Sequence, residues 1–260
     1  MSKTQSELTD WIDGHWNSDA LIPEITEIAP ELTPLEAQHI QAERMKRAEA
    51  AGDRIIGYKA ALTSKAMQEQ AGVGEPVLGT MLASRLYSEA EPVSLKGFIK
   101  ATLEPEVGVL MKTDLKGPGV TALDALAAIE GFLPCVEIGD IRTGEHPRTL
   151  QQTIVCNTFN GGHVFGAPLV APSGIDLRRE GMVLSANGEV VGSATAVEVL
   201  GDPLLSVAFM ANKLGEIGGS LKAGMVLMTG SIVRGIPVHA GDHVQVQFTR
   251  LGGVSLQFQV

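Results

Sequence analysis

The stretch Thr102-Leu-Glu-Pro-Glu-Val-Gly-Val-Leu-Met111 carries most of the information about the fold, because it is a strand-like apolar run with two acids in it. An extended strand sends alternate side chains to the same face, so Glu104 and Glu106 should project together. A third acid, Glu137, lies in a second strand-like run, residues 132–139. The pattern therefore predicts a sheet with three carboxylates available to one site.

A cluster of these three carboxylates would need a cation. Carboxylates brought together at a buried place repel one another and are costly to desolvate, unless a divalent ion neutralises them. Ligands that are all oxygen suit a hard ion such as Mg2+ or Mn2+. The alternative is that each acid lies on a solvated strand face, and the short spacing alone leaves both interpretations open.

Length and charge narrow the classes of protein. The 260 residues fit one large domain, or one domain with a small appendage. The net charge of -10 and the lack of a basic cluster argue against nucleic-acid binding. The N-terminal residues do not resemble a signal peptide, no apolar run is long enough to cross a bilayer, and both cysteines lie outside any C-x-x-C motif. These features predict a cytoplasmic protein without a membrane partner.

The chain divides into a helical beginning and a β-rich remainder. Residues 1–52 are predicted to be helical, and the second helix has Thr33 as N-cap, Pro34 in its first turn, Glu36 as the capping-box partner and Gly52 after its last turn. Residues 53–260 should form a second unit dominated by a mixed or antiparallel sheet. The predicted class is therefore α+β.

The β-rich part shows short apolar runs bounded by Gly and Pro. The predicted strands are 54–62, 102–111, 132–139, 182–186, 225–229, 243–248 and 254–260, with a hairpin turn at 187–188. Two helices, 121–130 and 202–214, interrupt them.

Familiar nucleotide-binding and hydrolase motifs are missing, and one lysine stands out instead. No G-x-G-x-x-G, phosphate-loop or G-x-S-x-G motif occurs, and the histidines lack zinc spacing. Lys59 lies in the apolar run Gly57-Tyr-Lys-Ala-Ala-Leu-Thr-Ser64, which leads into a helix capped at Thr63 or Ser64. It is either an edge residue whose ammonium reaches solvent or a buried cation that could stabilise an enolate and exchange its proton.

Several blocks together resemble one enzyme group. They are Gly57–Ser64, Leu103-Glu-Pro-Glu-Val107, Leu133-Pro-Cys-Val-Glu-Ile138, Asn187-Gly-Glu, Ala211-Asn-Lys-Leu214, Ala223-Gly-Met-Val-Leu-Met-Thr-Gly230 and Leu251-Gly-Gly-Val-Ser255. In this order they are similar to the 2-oxopent-4-enoate hydratase and 4-oxalocrotonate decarboxylase group of the fumarylacetoacetate hydrolase superfamily. The resemblance covers nearly the whole chain, and it is specific for the superfamily rather than for one reaction.

The resemblance implies a fold, a cofactor and site residues. It implies a small helical N-terminal part on a mixed β-sheet roll, a homo-oligomer, and an Mg2+ or Mn2+ site formed by Glu104, Glu106 and Glu137. Lys59 matches the active-site lysine of the group, and Asn157 matches an Asn near the substrate. The candidate substrate contacts next to Lys59 are Leu62, Thr63 and Ser64.

Three positions depart from the group's pattern. Val77 stands where the hydratases usually carry an Asp, and an apolar residue there is typical of the decarboxylases. Cys156 replaces an Asp before the Asn, and Gly201-Asp202-Pro203 replaces Gly-His-Pro. The metal centre is retained, whereas the acid–base groups are altered.

The sequence thus predicts a metal-dependent lyase acting on 2-oxo or 2-hydroxydienoate acids from aromatic degradation. Addition of water to a 2-hydroxypenta-2,4-dienoate-like substrate is the leading hypothesis. Because Val77 cannot activate water, Glu75 or His163 would serve as the base. Decarboxylation of a 4-oxalocrotonate-like acid is the alternative, because it needs no such base. Hydrolysis of an acylpyruvate carbon–carbon bond and a non-catalytic 2-oxo acid binder stay open as further alternatives.

Overall fold

The computed structural model describes residues 3–144 and 148–260, which form seven α-helices and thirteen strands within those ranges. The helices are α1 (Gln5–Trp16), α2 (Ile25–Ile28), α3 (Pro34–Ala50), α4 (Lys65–Ala71), α5 (Ala122–Ala127), α6 (Leu150–Val155) and α7 (Pro203–Glu216). The strands are β1 (Ile55–Ala61), β2 (Val77–Leu82), β3 (Leu86–Tyr87), β4 (Val93–Ser94), β5 (Ala101–Met111), β6 (Ile129–Asp140), β7 (Asn160–Phe165), β8 (Gly181–Ala186), β9 (Glu189–Thr195), β10 (Val226–Ser231), β11 (Ile236–Pro237), β12 (His243–Phe248) and β13 (Gly253–Gln259).

The strands form two sheets. The larger has the order β2-β1-β10-β5-β6-β7-β3, with β11 also paired to β5, and the smaller has the order β4-β13-β12-β8-β9. Most pairs are antiparallel, but β1–β10, β3–β7 and β4–β13 are parallel. The prediction of an α+β fold with a mixed sheet is confirmed.

The helical beginning has the predicted end signals. Glu36 N–H donates to Thr33 Oγ1 at 3.2 Å and Thr33 N–H donates to Glu36 Oε2 at 2.8 Å, which completes the capping box of α3. Just beyond the helix, Gly52 has a φ of +98°, a conformation that glycine adopts without a Cβ penalty. The division at residue 52 into two parts stays a prediction.

The N-terminal helices share an apolar cluster with the β-rich part. Ile12 of α1 and Ile40 of α3 are fully buried and pack in one cluster with Val155 of α6. Burial of such side chains contributes about 1.5–3 kcal/mol each. The helices are therefore held on the sheet region by a shared core, on the side where β2 and the turn Asn157–Phe159 meet.

All seven predicted strands are present, with ends shifted by a few residues, and the hairpin turn at 187–188 is confirmed by the pair Ala186–Glu189. The helix predicted for 121–130 ends at Ala127, because Ile129 already begins β6. Among the strands that were not predicted, β2 and β7 matter most. Gly79 interrupts β2, while Gly161 and Gly162 lie in β7, and glycine weakens a strand pattern.

The register of the large sheet determines which side chains meet. Glu104 of β5 lies directly opposite Glu137 of β6, and Glu137 lies opposite His163 of β7. Lys59 of β1 pairs with Met228 of β10, which in turn pairs with Gly108 of β5. Because directly paired residues share a face, this face of the sheet collects the three acids, the lysine and the histidine.

Candidate metal centre and active site

Three carboxylates converge on the inner face of the large sheet. One oxygen of each of Glu104, Glu106 and Glu137 lies within 4.8 Å of the other two. The side chains of Glu106 and Glu137 are buried, and Glu104 is partly exposed. The structure therefore brings together the three residues that the sequence proposed as metal ligands.

Glu106 is held by one backbone donor and keeps one oxygen without a partner. Gly230 N–H donates to Glu106 Oε2 at 2.6 Å, while Glu106 Oε1 is buried and accepts no hydrogen bond in the described part of the chain. Gly230 has a φ of +117°, and a Cβ there would lie 2.1 Å from Thr63 Oγ1, so this position requires glycine. A buried carboxylate oxygen without a donor is the arrangement expected of a metal ligand.

Glu137 is engaged through both oxygens. Lys59 Nζ contacts Glu137 Oε2, and Asn160 Nδ2 donates to Glu137 Oε1 at 3.1 Å. Lys59 is only 3% exposed, because β1 is an interior strand between β2 and β10. Gly79 lies opposite it, and a Cβ at Gly79 would come within 2.8 Å of Lys59 Cγ. The lysine is thus a buried cation, and the interpretation as a snorkelling edge residue is wrong.

Burial and mutual repulsion raise the pKa values of two of the three acids. Burial, followed by the charge of Glu137, raises the pKa of Glu104 to about 7, although Lys59 and Arg148 act in the opposite direction. Burial and the charge of Glu137 also raise the pKa of Glu106 well above its ordinary value. Burial lowers the pKa of Lys59, but the surrounding carboxylates raise it by more, so it stays protonated. A hard divalent cation fits this set, because it would neutralise acids that otherwise retain protons.

Cation binding should therefore compete with protons. The pKa of Glu104 is raised to about 7, so below that pH the carboxyl is increasingly protonated and a cation must displace the proton. We expect the apparent Kd for Mg2+ to rise as pH falls from 8 to 6, by up to about tenfold per pH unit for each proton displaced. Calorimetric titrations in buffers of different ionisation enthalpy measure the protons released; an affinity independent of pH over this range would contradict the assignment.

The turn Asn157–Phe159 places Asn160 on the metal centre. Asn157, Thr158 and Phe159 have φ values of +52°, +54° and +59°, the left-handed region that L-residues rarely occupy. Such conformations cost about 1–3 kcal/mol each and concentrate at functional sites. Here the turn leads the chain from α6 into β7, whose first residue is Asn160. No residue pattern indicates this turn, so Asn160 is a site residue that the sequence does not predict.

Asn157 links α3 and β2 by hydrogen bonds next to the site. Its Oδ1 accepts from Thr80 N–H at 2.8 Å and from Gln41 Nε2 at 2.9 Å, and its Nδ2 donates to Thr80 O at 2.8 Å. Gln41 Nε2 also donates to Leu78 O at 2.9 Å, so α3, β2 and the turn are fastened together. The substrate contact assigned to Asn157 stays a prediction, since these three bonds engage its amide with the protein.

Replacement of Asn160 should weaken cation binding. Asn160→Ala removes the donor to Glu137 Oε1 and frees that carboxylate to rotate away from the other two. Loss of such a supporting hydrogen bond weakens metal affinity by about 10- to 100-fold. Asn160→Ser, which keeps a donor, should bind Mg2+ more tightly than the alanine variant in calorimetric titration. Wild-type Mg2+ affinity in Asn160→Ala would show that this bond does not orient the ligand.

The three predicted substrate contacts, Leu62, Thr63 and Ser64, follow β1 and differ in burial and bonding. Leu62 has a φ of +56°, and its carbonyl accepts from Gln68 Nε2 at 2.9 Å. Thr63 is buried against Gly230, which brings it next to the donor that holds Glu106. Ser64 is the N-cap of α4, as one of the two predicted caps. Their contact with a substrate stays a prediction.

The two proposed bases, Glu75 and His163, lie in unlike surroundings. Glu75 is exposed and forms an ion pair with Lys213 of α7 at 2.8 Å. His163 is fully buried opposite Glu137, stacks on Phe165 at 5.4 Å between ring centroids, and lies close to the backbone of Leu82. Burial lowers its pKa to about 4, so the ring is neutral at pH 7. Of the two, only His163 shares the face of the carboxylates.

The departures at positions 77 and 156 place a valine and a thiol, rather than an acid, in the apolar cluster around Phe159. Val77 is 4% exposed, pairs with Ala61 and packs in one cluster with Phe159 and Cys156. Burial raises the pKa of the Cys156 thiol to about 12, so it stays neutral. Asp202 caps α7 by accepting from Leu204 N–H at 3.0 Å.

Comparison with known proteins identifies the family. The family model described as fumarylacetoacetate (FAA) hydrolase C-terminal matches residues 42–259. The chain belongs to the fumarylacetoacetate hydrolase family. Within this family it is 38% identical over 236 residues to 2-hydroxyhexa-2,4-dienoate hydratase of Comamonas testosteroni, covering 90% of this chain and 89% of that protein. It is 35% identical over 237 residues to 4-oxalocrotonate decarboxylase of Pseudomonas putida, covering 91% and 90%.

Solved structures of the family give the same result. The structure of 4-oxalocrotonate decarboxylase from Pseudomonas putida G7, complexed with magnesium and adipate, superimposes with a TM-score of 0.94 at 33% identity and covers 98% of each chain. The same enzyme complexed with calcium and acetate gives a TM-score of 0.93. The predicted fumarylacetoacetate hydrolase type of fold is confirmed. No helix in the described ranges combines the length and the apolar character needed to cross a membrane.

Proposed function

We propose that this protein is a divalent-metal-dependent lyase that adds water to a 2-hydroxypenta-2,4-dienoate-like acid to give a 4-hydroxy-2-oxo acid. The observation that carries the proposal is the convergence of Glu104, Glu106 and Glu137 within 4.8 Å beside the buried ammonium of Lys59. Relatives named as dienoate hydratases support the choice of substrate.

The cofactor would be Mg2+ or Mn2+, held by the three glutamates. A bound divalent cation would supply electrophilic assistance to a 2-oxo acid that chelates it through a carboxylate oxygen and the C2 oxygen. Magnesium and calcium in the structures of a relative support a hard ion at this site. Mn2+ is proposed because it accepts the same oxygen ligands.

Lys59 would stabilise the charge that develops during the reaction. Its ammonium is buried and protonated, so it can donate to a C2 oxygen that gains negative charge and can return a proton to it. In water addition, the proton of the 2-hydroxyl is replaced by one at C5, which leaves a C3–C4 double bond conjugated to the ketone. The oxygen of water then adds to C4 and a proton to C3.

Decarboxylation of a 4-oxalocrotonate-like acid is a second candidate, favoured by Val77 and Cys156. A valine and a neutral thiol cannot remove a proton from water, and Glu75 is paired with Lys213. In decarboxylation the remote carboxylate leaves as carbon dioxide, and its electron pair passes along the conjugated chain to the C2 oxygen. That step requires charge stabilisation by Lys59 and the cation but no activated water.

The experiment that tests both candidates is an ultraviolet assay with product identification. The protein is incubated with 2-hydroxypenta-2,4-dienoate or with 4-oxalocrotonate, each with Mg2+ and with Mn2+. Formation of a 4-hydroxy-2-oxo acid is expected for hydration, and release of carbon dioxide for decarboxylation. Absence of turnover with either acid and either metal would contradict the proposed lyase.

Two other functions have less support. An acylpyruvate hydrolase is the weaker candidate because the two relatives of 35–38% identity described above are named as a hydratase and a decarboxylase. A non-catalytic 2-oxo acid binder would not require a buried lysine paired with one of the acids. A homo-oligomer stays a prediction, which light scattering of the purified protein would test.

A further inference from the structure

Arg148 is an exposed arginine two residues before α6, and its guanidinium lies over an aromatic ring. Its Cζ is 5.1 Å from the centroid of the Phe159 ring, and Phe159 is only 5% exposed. Within the described residues no carboxylate lies within 4.0 Å of this guanidinium, whereas the nearby Arg142 is buried and paired with Asp140 at 2.6 Å. Arg148 therefore has an aromatic platform and no carboxylate partner among residues 3–144 and 148–260.

This charge lies beside the metal centre. Phe159 directly precedes Asn160, whose Nδ2 donates to Glu137 Oε1 at 3.1 Å. The positive charge of Arg148 also acts on the Glu104 carboxyl, where it opposes the rise in pKa caused by burial and by Glu137. The guanidinium is thus near enough to the Glu104 carboxyl to act on its charge without an ion pair to it.

The surroundings suit one end of an extended acid. A guanidinium stacked on a ring keeps its N–H edges free, and these edges match a carboxylate through two parallel hydrogen bonds. Phe159 belongs to the apolar cluster that includes Val77 and Leu62, which would accept the carbon chain between the two ends. A substrate with a single carboxylate would have no group to form these two hydrogen bonds with Arg148.

We propose that Arg148 binds the distal carboxylate of the substrate, which narrows the 2-hydroxydienoate-like acids of the proposed function to those that carry a second carboxylate at the far end. The inference rests on the proposed lyase function, because the first carboxylate is taken to be held at Glu104, Glu106 and Glu137. It is independent of whether water is added or carbon dioxide is lost. Arg148 is a specificity-determining residue in this arrangement.

A matched pair of substrates tests the inference. 2-Hydroxyhexa-2,4-dienoate and 2-hydroxyhexa-2,4-dienedioate share a six-carbon chain and differ only in a terminal methyl or carboxylate. We expect wild-type protein with Mg2+ to prefer the dioate. Arg148→Met should lower kcat/KM for the dioate by about 10- to 100-fold, mainly through KM, and should leave the monoacid unaffected. For Arg148→Lys, kcat/KM for the dioate should lie between the values of wild type and Arg148→Met, since lysine keeps the charge but cannot form two parallel hydrogen bonds.

The controls separate this inference from the proposed function. Arg178→Met removes an exposed arginine paired with Asp176 and should change neither substrate. If wild-type protein turns over neither of these acids nor 2-hydroxypenta-2,4-dienoate, the lyase proposal fails. Arg148 is then tested by the rise in Tm with Mg2+ and either adipate or hexanoate, where only adipate should lose its effect in Arg148→Met. An equal effect of Arg148→Met on both members of a pair, or no effect on the dioic member, would overturn the assignment.

Discussion

Glu106→Gln should abolish Mg2+ binding and turnover while the chain remains folded. Glu106 is fully buried, and its Oε1 has no hydrogen-bond partner in the described ranges, so this oxygen is available to a cation. Glutamine keeps the volume and can still accept from Gly230 N–H through its carbonyl oxygen, but it removes one of three charges. We expect the Mg2+ affinity to fall by about 100-fold or more, beyond the effect of losing a supporting hydrogen bond.

Calorimetric titration with Mg2+ and thermal unfolding with and without the ion measure this effect. The metal-free variant should be at least as stable as metal-free wild type, because a neutral amide avoids the burial penalty and the repulsion by Glu137 that raise the pKa of Glu106. Glu130→Gln, at an exposed acid that pairs with Lys112 at 3.7 Å, is the matched control and should bind Mg2+ normally. Wild-type affinity or activity in Glu106→Gln would remove the metal site.

Lys59→Met should lower kcat by about 100- to 10,000-fold while cation binding is retained. The lysine is buried on Glu137 Oε2, and methionine fills the space of its stem next to Gly79 without an ammonium. Loss of the Lys59 ammonium leaves the Glu137 carboxylate without its charge partner. This loss should destabilise the metal-free protein by about 3–5 kcal/mol. Because a divalent ion compensates the same carboxylate, Mg2+ should restore much of this stability.

Single-turnover kinetics at saturating Mg2+ and substrate measure the loss, and Tm with and without Mg2+ measures the stability. Lys112→Met removes an exposed lysine that pairs with Glu130 at 3.7 Å and serves as control. An unchanged kcat in Lys59→Met would exclude a catalytic role for the lysine. A loss of Mg2+ affinity as large as that of Glu106→Gln would show instead that the lysine organises the metal ligands.

The carboxylate site could be predicted from sequence because it depends on local periodicity. Glu104 and Glu106 share a face of any extended strand, and only the pairing of β5 with β6 was needed to add Glu137. The burial of Lys59 was not predictable in this way. It depends on the pairing of β2 with β1, which makes β1 an interior strand. Gly79 weakens the strand pattern of β2 in the sequence, and its lack of a Cβ leaves space for the Lys59 side chain.

Two further site assignments show where a sequence pattern is insufficient. Asn157 and Asn160 are both amides near β7, but three successive left-handed residues decide that Asn160 contacts Glu137. Glu75 precedes β2 by only two residues, yet its ion pair with Lys213 of α7 keeps its carboxylate exposed. Neither the turn nor the ion pair has a local sequence signal, because each depends on tertiary contacts.

The double hydrogen bond made by Gln41 has a consequence for exchanging segments among relatives. Its amide nitrogen reaches both Leu78 O and Asn157 Oδ1, so residues far apart in the chain must be compatible. In a chimera that takes its first fifty residues from one parent and the rest from another, residue 41 and its partners at 78 and 157 would come from different proteins. Crossover points that keep α3 together with the Asn157 loop should therefore yield more active hybrids than a crossover between them.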